Sequence, residues 1–411
     1  MLNKLLKSTI KEIDLTNDQQ AEMITETVKS ILEAGYTLDD IKQAEQELLA
    51  KNDNSLILPL LSLKIAKSKI LASQIKSPLR ISVVFAVYKE HNRIKTAGEH
   101  PHGEDFLRKK VKQLEFLFEN SPGVTWELVV VDDGCPENSG AIALDIVKSE
   151  HLQDKVRVLF LAEAIKQKLP PVRDLKSTTD SQKGGSIVYG MWDAVQKHGT
   201  NHHIVIYTDA DLSTHLGQIM LLVDPVLHQN KLAAIGSRRE PESVVIKKGS
   251  RNSRGKLFIY LWKRLIHNLN YIVDTQCGFK AFKADIIPDI TKDMIEKKFA
   301  FDIELLLHTE LIQTNSIAKV PIAWIDSEAA STTTDLQPYL PMLQAIVKMY
   351  RKYLPPLPEA DEFAVFIESL TSETFNRLLN NIPGSITKRK PYEFSEFDSV
   401  KPGDLRQYLQ K

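Results

Sequence analysis

The chain has 411 residues; Lys plus Arg and Asp plus Glu both total 53, with 26% charged and 43% apolar residues. This balance leaves no global nucleic-acid footprint, and two cysteines, Cys135 and Cys277, make neither a disulfide framework nor a zinc cluster. No stretch reaches the roughly 18 apolar residues that span a bilayer, so a cytoplasmic protein with one large domain and smaller additions is expected.

Residues 1–76 read as an all-helical extension. Met1 to Ile13 alternates Lys with Leu and lacks the apolar stretch of a secretory signal. Leu2, Leu5 and Leu6 with Lys4 and Lys7 offer only a short peripheral membrane contact. Ala21 to Ala34 spaces Met23, Ile24, Val28, Ile31 and Leu32 helically. Gly35 stops that helix, and Thr37-Leu38-Asp39-Asp40 restarts one with an N-cap and early acids. Leu56 to Ile75 is again apolar-periodic. The extension names no chemistry; its expected role is contact with the main domain, a second copy of the chain or a partner protein.

From Pro78 strands and helices alternate. Strands are predicted at Ile81–Val87, Glu127–Val131, Val156–Leu161 and Ile204–Tyr207, with helices at Phe106–Phe118, Ala141–Lys148 and Gly185–His198. This order implies a mostly parallel, Rossmann-like, three-layer α/β domain. Residues 89–105 and 163–183 are polar loops that follow strands. Beyond Ser250 the spacing predicts helices at Leu257–Leu269, Phe301–Ile312 and Leu336–Tyr353, and a strand at Ile317–Trp324. Pro355-Pro356-Leu357-Pro358 ends the domain at 77–355. The tail, 356–411, carries one clear helix near Glu373–Asn381.

Chemistry gathers where strands end. Ile204 to Tyr207 is an apolar run of the kind buried on both sheet faces, and Asp209-Ala210-Asp211 follows at the ligand-binding edge. Two acids one residue apart repel, and Mg²⁺ or Mn²⁺ relieves the repulsion by taking one or two carboxylates plus substrate phosphates. A solvated turn is the bland alternative for this motif alone. The first strand ends in Tyr88-Lys89-Glu90 and the second in Asp132-Asp133-Gly134, which supply an aromatic to stack a base and carboxylates for its N–H groups and the ribose. Each alone also serves as a plain loop cap. Lys183-Gly184-Gly185 opens a helix and suits an anion, although a helix-entry turn has the same sequence; it is not a P-loop. His91, His100 and His102 read as a solvated loop, His202-His203 as a strand cap, and Trp192 and Trp324 as core.

Taken in order, these motifs and Gly236-Ser237-Arg238 resemble inverting family 2 glycosyltransferases of the GT-A fold. Asp274-Thr275-Gln276-Cys277-Gly278-Phe279-Lys280 and Phe301-Asp302-Ile303-Glu304-Leu305-Leu306 are similar to motifs of dolichyl-phosphate glucosyltransferases, with dolichyl-phosphate mannose synthases next. The resemblance spans about residues 79–350. It implies a nucleotide-diphosphate sugar donor, UDP-glucose first and GDP-mannose second, and a polyprenyl-phosphate-like or soluble hydroxyl acceptor. It places Tyr88, Glu90, Asp132 or Asp133, Lys183, Gly184 and Asp209 at the donor, and Asp209 and Asp211 at the metal. Ser213 falls where mannose synthases supply a Gln ligand. Arg238 and Arg254 match arginines that grip an acceptor phosphate, and Asp302, then Asp274, the catalytic base. Asp302 also has the position of a helix cap, and Asp274 that of a turn acid. The membrane anchors common among lipid-acceptor relatives are not expected here. A sugar-nucleotide nucleotidyltransferase is one alternative, but Tyr88 to Arg93 lacks its Gly-rich, Arg-containing signature. A non-catalytic nucleotide-sugar-binding scaffold is the other.

Overall fold

The computed structural model describes residues 9–10, 12–246, 252–326, 338–395 and 400–409. Leu2, Leu5, Leu6, Lys4 and Lys7 lie outside the described residues.

The extension forms α1 (Asp18–Glu33), α2 (Leu38–Leu49) and α3 (Ile57–Ser73). Gly35, at φ 70°, turns the chain between the first two. Thr37 then caps α2 in a reciprocal box with Asp40. The domain continues as β1 (Leu79–Val87), α4 (Phe106–Phe118), β2 (Val124–Asp132), α5 (Ser139–Ser149), β3 (Val156–Phe160), α6 (Leu161–Lys166), α7 (Gly184–His198), β4 (His203–Thr208), α8 (Ile219–His228), β5 (Ala233–Ser237) and β6 (Val244–Ile246). It closes with α9 (Asn252–Leu265), β7 (Phe279–Lys283), α10 (Ile287–Thr291), α11 (Phe301–Ile312), β8 (Ile317–Pro321), β9 (Ala323–Ile325) and α12 (Tyr339–Tyr353). The tail holds α13 (Pro358–Glu368), α14 (Ser372–Asn380), α15 (Gly384–Thr387) and α16 (Pro402–Arg406), more helix than the single segment its sequence predicts.

Seven strands form one sheet in the order β3-β2-β1-β4-β7-β5-β8. All neighbours pair in parallel except β7, which runs antiparallel between β4 and β5. The predicted strand at 317–324 is two strands. At Ile322 the chain leaves β5, takes a hydrogen bond from Val244, and pairs with β6 in a small second sheet.

Alternate residues along the central strands enter two apolar layers. Val84, Val129, Val131, Val205 and Tyr207 face one, and Val83, Phe85, Val130, Ile204 and Ile206 the other. The first layer is completed by α7, α9 and the tail helices, the second by α4, α8 and the N-terminal helices. The core is therefore continuous across the sequence boundaries at 77 and 355. Helix α3 is apolar nearly all round and buried, wedged against α1, α4 and α8.

Candidate active site

Because β1, β2 and β4 are parallel, Tyr88–Glu90, Asp132–Asp133 and Asp209–Asp211 emerge along one sheet edge. Tyr88 is 45% exposed at the mouth. Glu90 is buried; its backbone N–H donates to Ser139 Oγ at 2.9 Å, and its carboxylate accepts from Arg93 at 3.0 Å. Arg93 also grips Glu104 through Nε at 2.9 Å and Nη2 at 3.1 Å, so this loop folds around a buried acid–Arg–acid triad. Burial pushes Glu90 up to about 7, with the Arg93 charge acting the other way.

Asp132 and Asp133 spend their oxygens within the protein. Asp132 accepts backbone N–H groups of Gly134, Cys135 and Gly140 at 2.9, 3.0 and 2.8 Å. Asp133 accepts the Ser181 and Ser186 hydroxyls, each at 2.6 Å, and the Lys183 N–H at 2.7 Å. That grip fixes the entry to α7, where Lys183 adopts φ 86°. Gly184 is needed for close packing, since a Cβ there meets the carbonyl oxygens of Lys297 and Lys298 at 2.6 Å. The glycines of this turn thus face neighbouring chain, and its lysine reaches the acids.

Lys183 Nζ bonds Asp209, and its charge also bears on Asp302 and Asp211. Burial opposes ionisation of Asp209, but Lys183 outweighs it and lowers the carboxyl below its usual range. Asp211 moves up, through burial and then through the charge on Asp209. Its Oδ1 accepts the Ser213 N–H at 3.0 Å, and its backbone carbonyl accepts Lys110 Nζ at 2.8 Å. Ser213 is itself buried. Lys110 is fully buried and pushed down to about 8 by burial, with Asp211 and Asp209 pulling upward. The backbone N–H of Asp209 donates to Gly278 O at 3.1 Å, so the turn that leads into β7 is held against the Asp209–Asp211 pair.

Asp274 does not stand open. Arg238 donates to it through its backbone N–H at 2.9 Å and through Nε and Nη2 at 2.8 Å, while its guanidinium lies 5.2 Å from the Trp324 ring centre. Burial opposes the charge on Asp274, but this bidentate arginine holds it well below the usual carboxylate range. Such a group is a poor proton acceptor. Arg254 is partly exposed in the first turn of α9, next to Gly255, whose Cα faces the Arg239 guanidinium.

Asp302 opens α11 and is buried, with Tyr207 Oη and Lys280 Nζ both donating to Oδ1, the latter at 2.6 Å. Tyr207 and Lys280 are direct cross-strand partners on β4 and β7, which puts both side chains on one face. Burial pushes Asp302 up to about 8, against Lys183, and pushes Lys280 down to about 7. Neither carries charge cheaply in so dry a pocket, and their contact lets them share a proton.

Arg93, Lys110, Tyr207 and Lys280 were not predicted as site residues. Lys110 had a signal, because it sits on the apolar stripe of its helix with Phe106, Val111 and Leu114.

No group of three or more His, Cys, Asp or Glu side chains is placed to hold a metal among the described residues. The Asp209–Asp211 pair fits a divalent ion that draws further ligands from substrate phosphates, because its like charges are adjacent, half-exposed and mutually destabilising.

The sheet order, the antiparallel β7 and the acids at the end of β4 agree with the GT-A fold that the sequence motifs imply. The chain is similar in sequence to dolichyl-phosphate β-glucosyltransferases. It is 26% identical to that of Drosophila melanogaster over 291 residues, 67% of this chain and 76% of the relative. The Saccharomyces cerevisiae protein is 28% identical over 259 residues, 59% of this chain and 66% of its own length. The Homo sapiens protein is 26% identical over 259 residues, 61% and 69%. Among solved structures, glucosyl-3-phosphoglycerate synthase from Mycobacterium tuberculosis with UDP gives a TM-score of 0.46 at 16% identity, covering 71% of this chain and 85% of that one. No protein-family model matches. Among the described residues, no helix is long and apolar enough to cross a membrane.

Proposed function

We propose that the protein is a metal-dependent, inverting hexosyltransferase that moves glucose from UDP-glucose to a polyprenyl-phosphate-like acceptor. The observation that carries this reading is the Asp209–Asp211 pair at the sheet edge with Lys183 on it, beside a mouth lined by Tyr88 and Glu90. Tyr88 stacks the base, ionised Glu90 accepts its N–H, and the Asp132 and Asp133 loops shape the ribose side. Asp209 and Asp211, with Ser213 beside them, hold Mg²⁺ or Mn²⁺, which supplies Lewis-acid stabilisation of the departing diphosphate. Lys183 adds a second positive charge on that side. Arg254 forms the acceptor side, where a guanidinium fork suits phosphate oxygens; the Arg238 fork is spent on Asp274, so Arg238 contributes there through its charge alone.

Asp302 is favoured over Asp274 as a base, because Asp274 is committed to Arg238, whereas burial raises Asp302 so that its carboxylate binds a proton more readily. A phosphate acceptor is anionic and needs no base, whereas a hydroxyl acceptor does. The test is nucleotide release by purified protein with Mn²⁺ and a panel of nucleotide sugars, with polyprenyl phosphate or hydroxyl acceptors. Glucose transfer to polyprenyl phosphate that survives Asp302→Asn is expected. Transfer only to hydroxyl acceptors, abolished by Asp302→Asn, moves the acceptor to a soluble alcohol. No release from any donor rejects the enzyme reading.

A further inference from the structure

Away from the sheet edge that carries the acids, a cavity of about 350 Å³ opens where the N-terminal helices meet α8 and the edge strand β8. Its base is Lys64, 2% exposed, whose ammonium donates to Glu45 at 2.5 Å and to the Pro321 carbonyl at 3.2 Å. An ammonium has three N–H donors, so these two bonds leave one. Lys42, Lys67 and Lys319 line the same space from α2, α3 and β8. Among the described residues, Lys42 and Lys67 have no ion-pair partner.

Three carboxylates also line the cavity, but two are engaged. Glu45 is taken by Lys64, and Asp224 lies 3.0 Å from His228 Nδ1; Glu242 is exposed. The remaining wall is apolar, with Leu71, Leu221, Pro225 and Val320, and the Gln46 and Gln229 amides also line it. Lys319 lies 4.0 Å from Glu240, which leaves Lys42, Lys64 and Lys67 as the cations that line the cavity beside its apolar wall; they match a ligand with an anionic head and a short carbon skeleton, and the volume suits a small molecule. This surface uses nothing from the candidate active site.

We propose that this cavity is a binding site for a small organic phosphate. The chemistry predicts ammonium contacts from Lys42, Lys64 and Lys67 to the phosphate and a carbon skeleton against Leu71 and Leu221. The probe is glycerol 3-phosphate, titrated into the full chain by calorimetry in EDTA, with glycerol in parallel. Saturable binding of the phosphate and none of glycerol is expected. Lys42→Gln/Lys67→Gln should weaken it about tenfold or more, as loss of charge-assisted contacts implies. Neither lysine is fully buried, so the double variant should melt with the wild type. Asp209→Asn must leave the affinity unchanged, which separates this site from the acids at the sheet edge. Absence of saturable binding, equal affinity in the double lysine variant, or loss of binding in Asp209→Asn overturns the proposal.

Discussion

Replacing Gly278 by alanine puts a methyl group into the space of the Asp209 carboxylate. A Cβ on Gly278 lies 2.4 Å from both Asp209 oxygens and 2.5 Å from its Cγ, where ordinary contact begins at 3.4 Å. Relief requires a shift of about 1 Å. The backbone at Gly278 is not left-handed, so alanine meets no conformational penalty there and the clash is the whole effect. A misplacement of about 1 Å at a catalytic group loses on the order of a hundredfold in rate, or about 2.7 kcal/mol of transition-state stabilisation. Octahedral Mg²⁺ tolerates such a shift poorly.

The assay pairs Mn²⁺ titration of the free protein with transfer from UDP-glucose and thermal unfolding. Metal affinity and kcat/KM should each fall about a hundredfold while the fold is kept, since the clash falls on one half-exposed carboxylate. Should Gly278→Ala melt early instead, Gly278→Ala in an Asp209→Ala background removes the clash and should recover the melting temperature. A folded Gly278→Ala protein with wild-type metal affinity and turnover refutes the reasoning, because Asp209 would then not be a ligand.

Asp211→Asn removes one of two adjacent like charges, so turnover should vanish while thermal stability holds or rises; substantial retained turnover would count against the metal assignment. Arg254→Ala should raise KM for a phosphate-bearing acceptor well above its effect on the donor, and an unchanged acceptor KM removes that role. Glu90 is pushed up to about 7, so its charged form appears only as pH rises through 7. Donor KM should therefore fall from pH 6 to 8, and a flat donor KM in that range would separate Glu90 from base recognition.

Much of this site was legible because adjacent acids follow an apolar run. Ile204 to Tyr207 has the signature of a buried strand, and parallel neighbours place Glu90, Asp132 and Asp209 on one edge. Local signals also served the extension, where Gly35 and Thr37 mark a helix end and a helix start. Partnerships were hidden. Nothing in Asp-Asp-Gly reveals that Asp132 is consumed by three backbone N–H groups, or that Asp133 clasps two serines about fifty positions away. The role of the two ends was hidden too, because each covers one face of a sheet whose strands lie between them in sequence.

Strand β7 carries little strand pattern of its own. Phe279 to Lys283 carries two lysines in five residues, a weak strand pattern, yet it is central in the sheet, between β4 and β5. Antiparallel pairing reverses its direction, so its start lies against the end of β4. Gly278 therefore meets Asp209, and Lys280 faces Tyr207 and Asp302. A lysine buried there is tolerable only because Asp302 and the Cys277 carbonyl, 2.6 Å away, receive its protons. Strand β7 thus joins the Asp209–Asp211 pair, through Gly278, to Asp302, through Lys280.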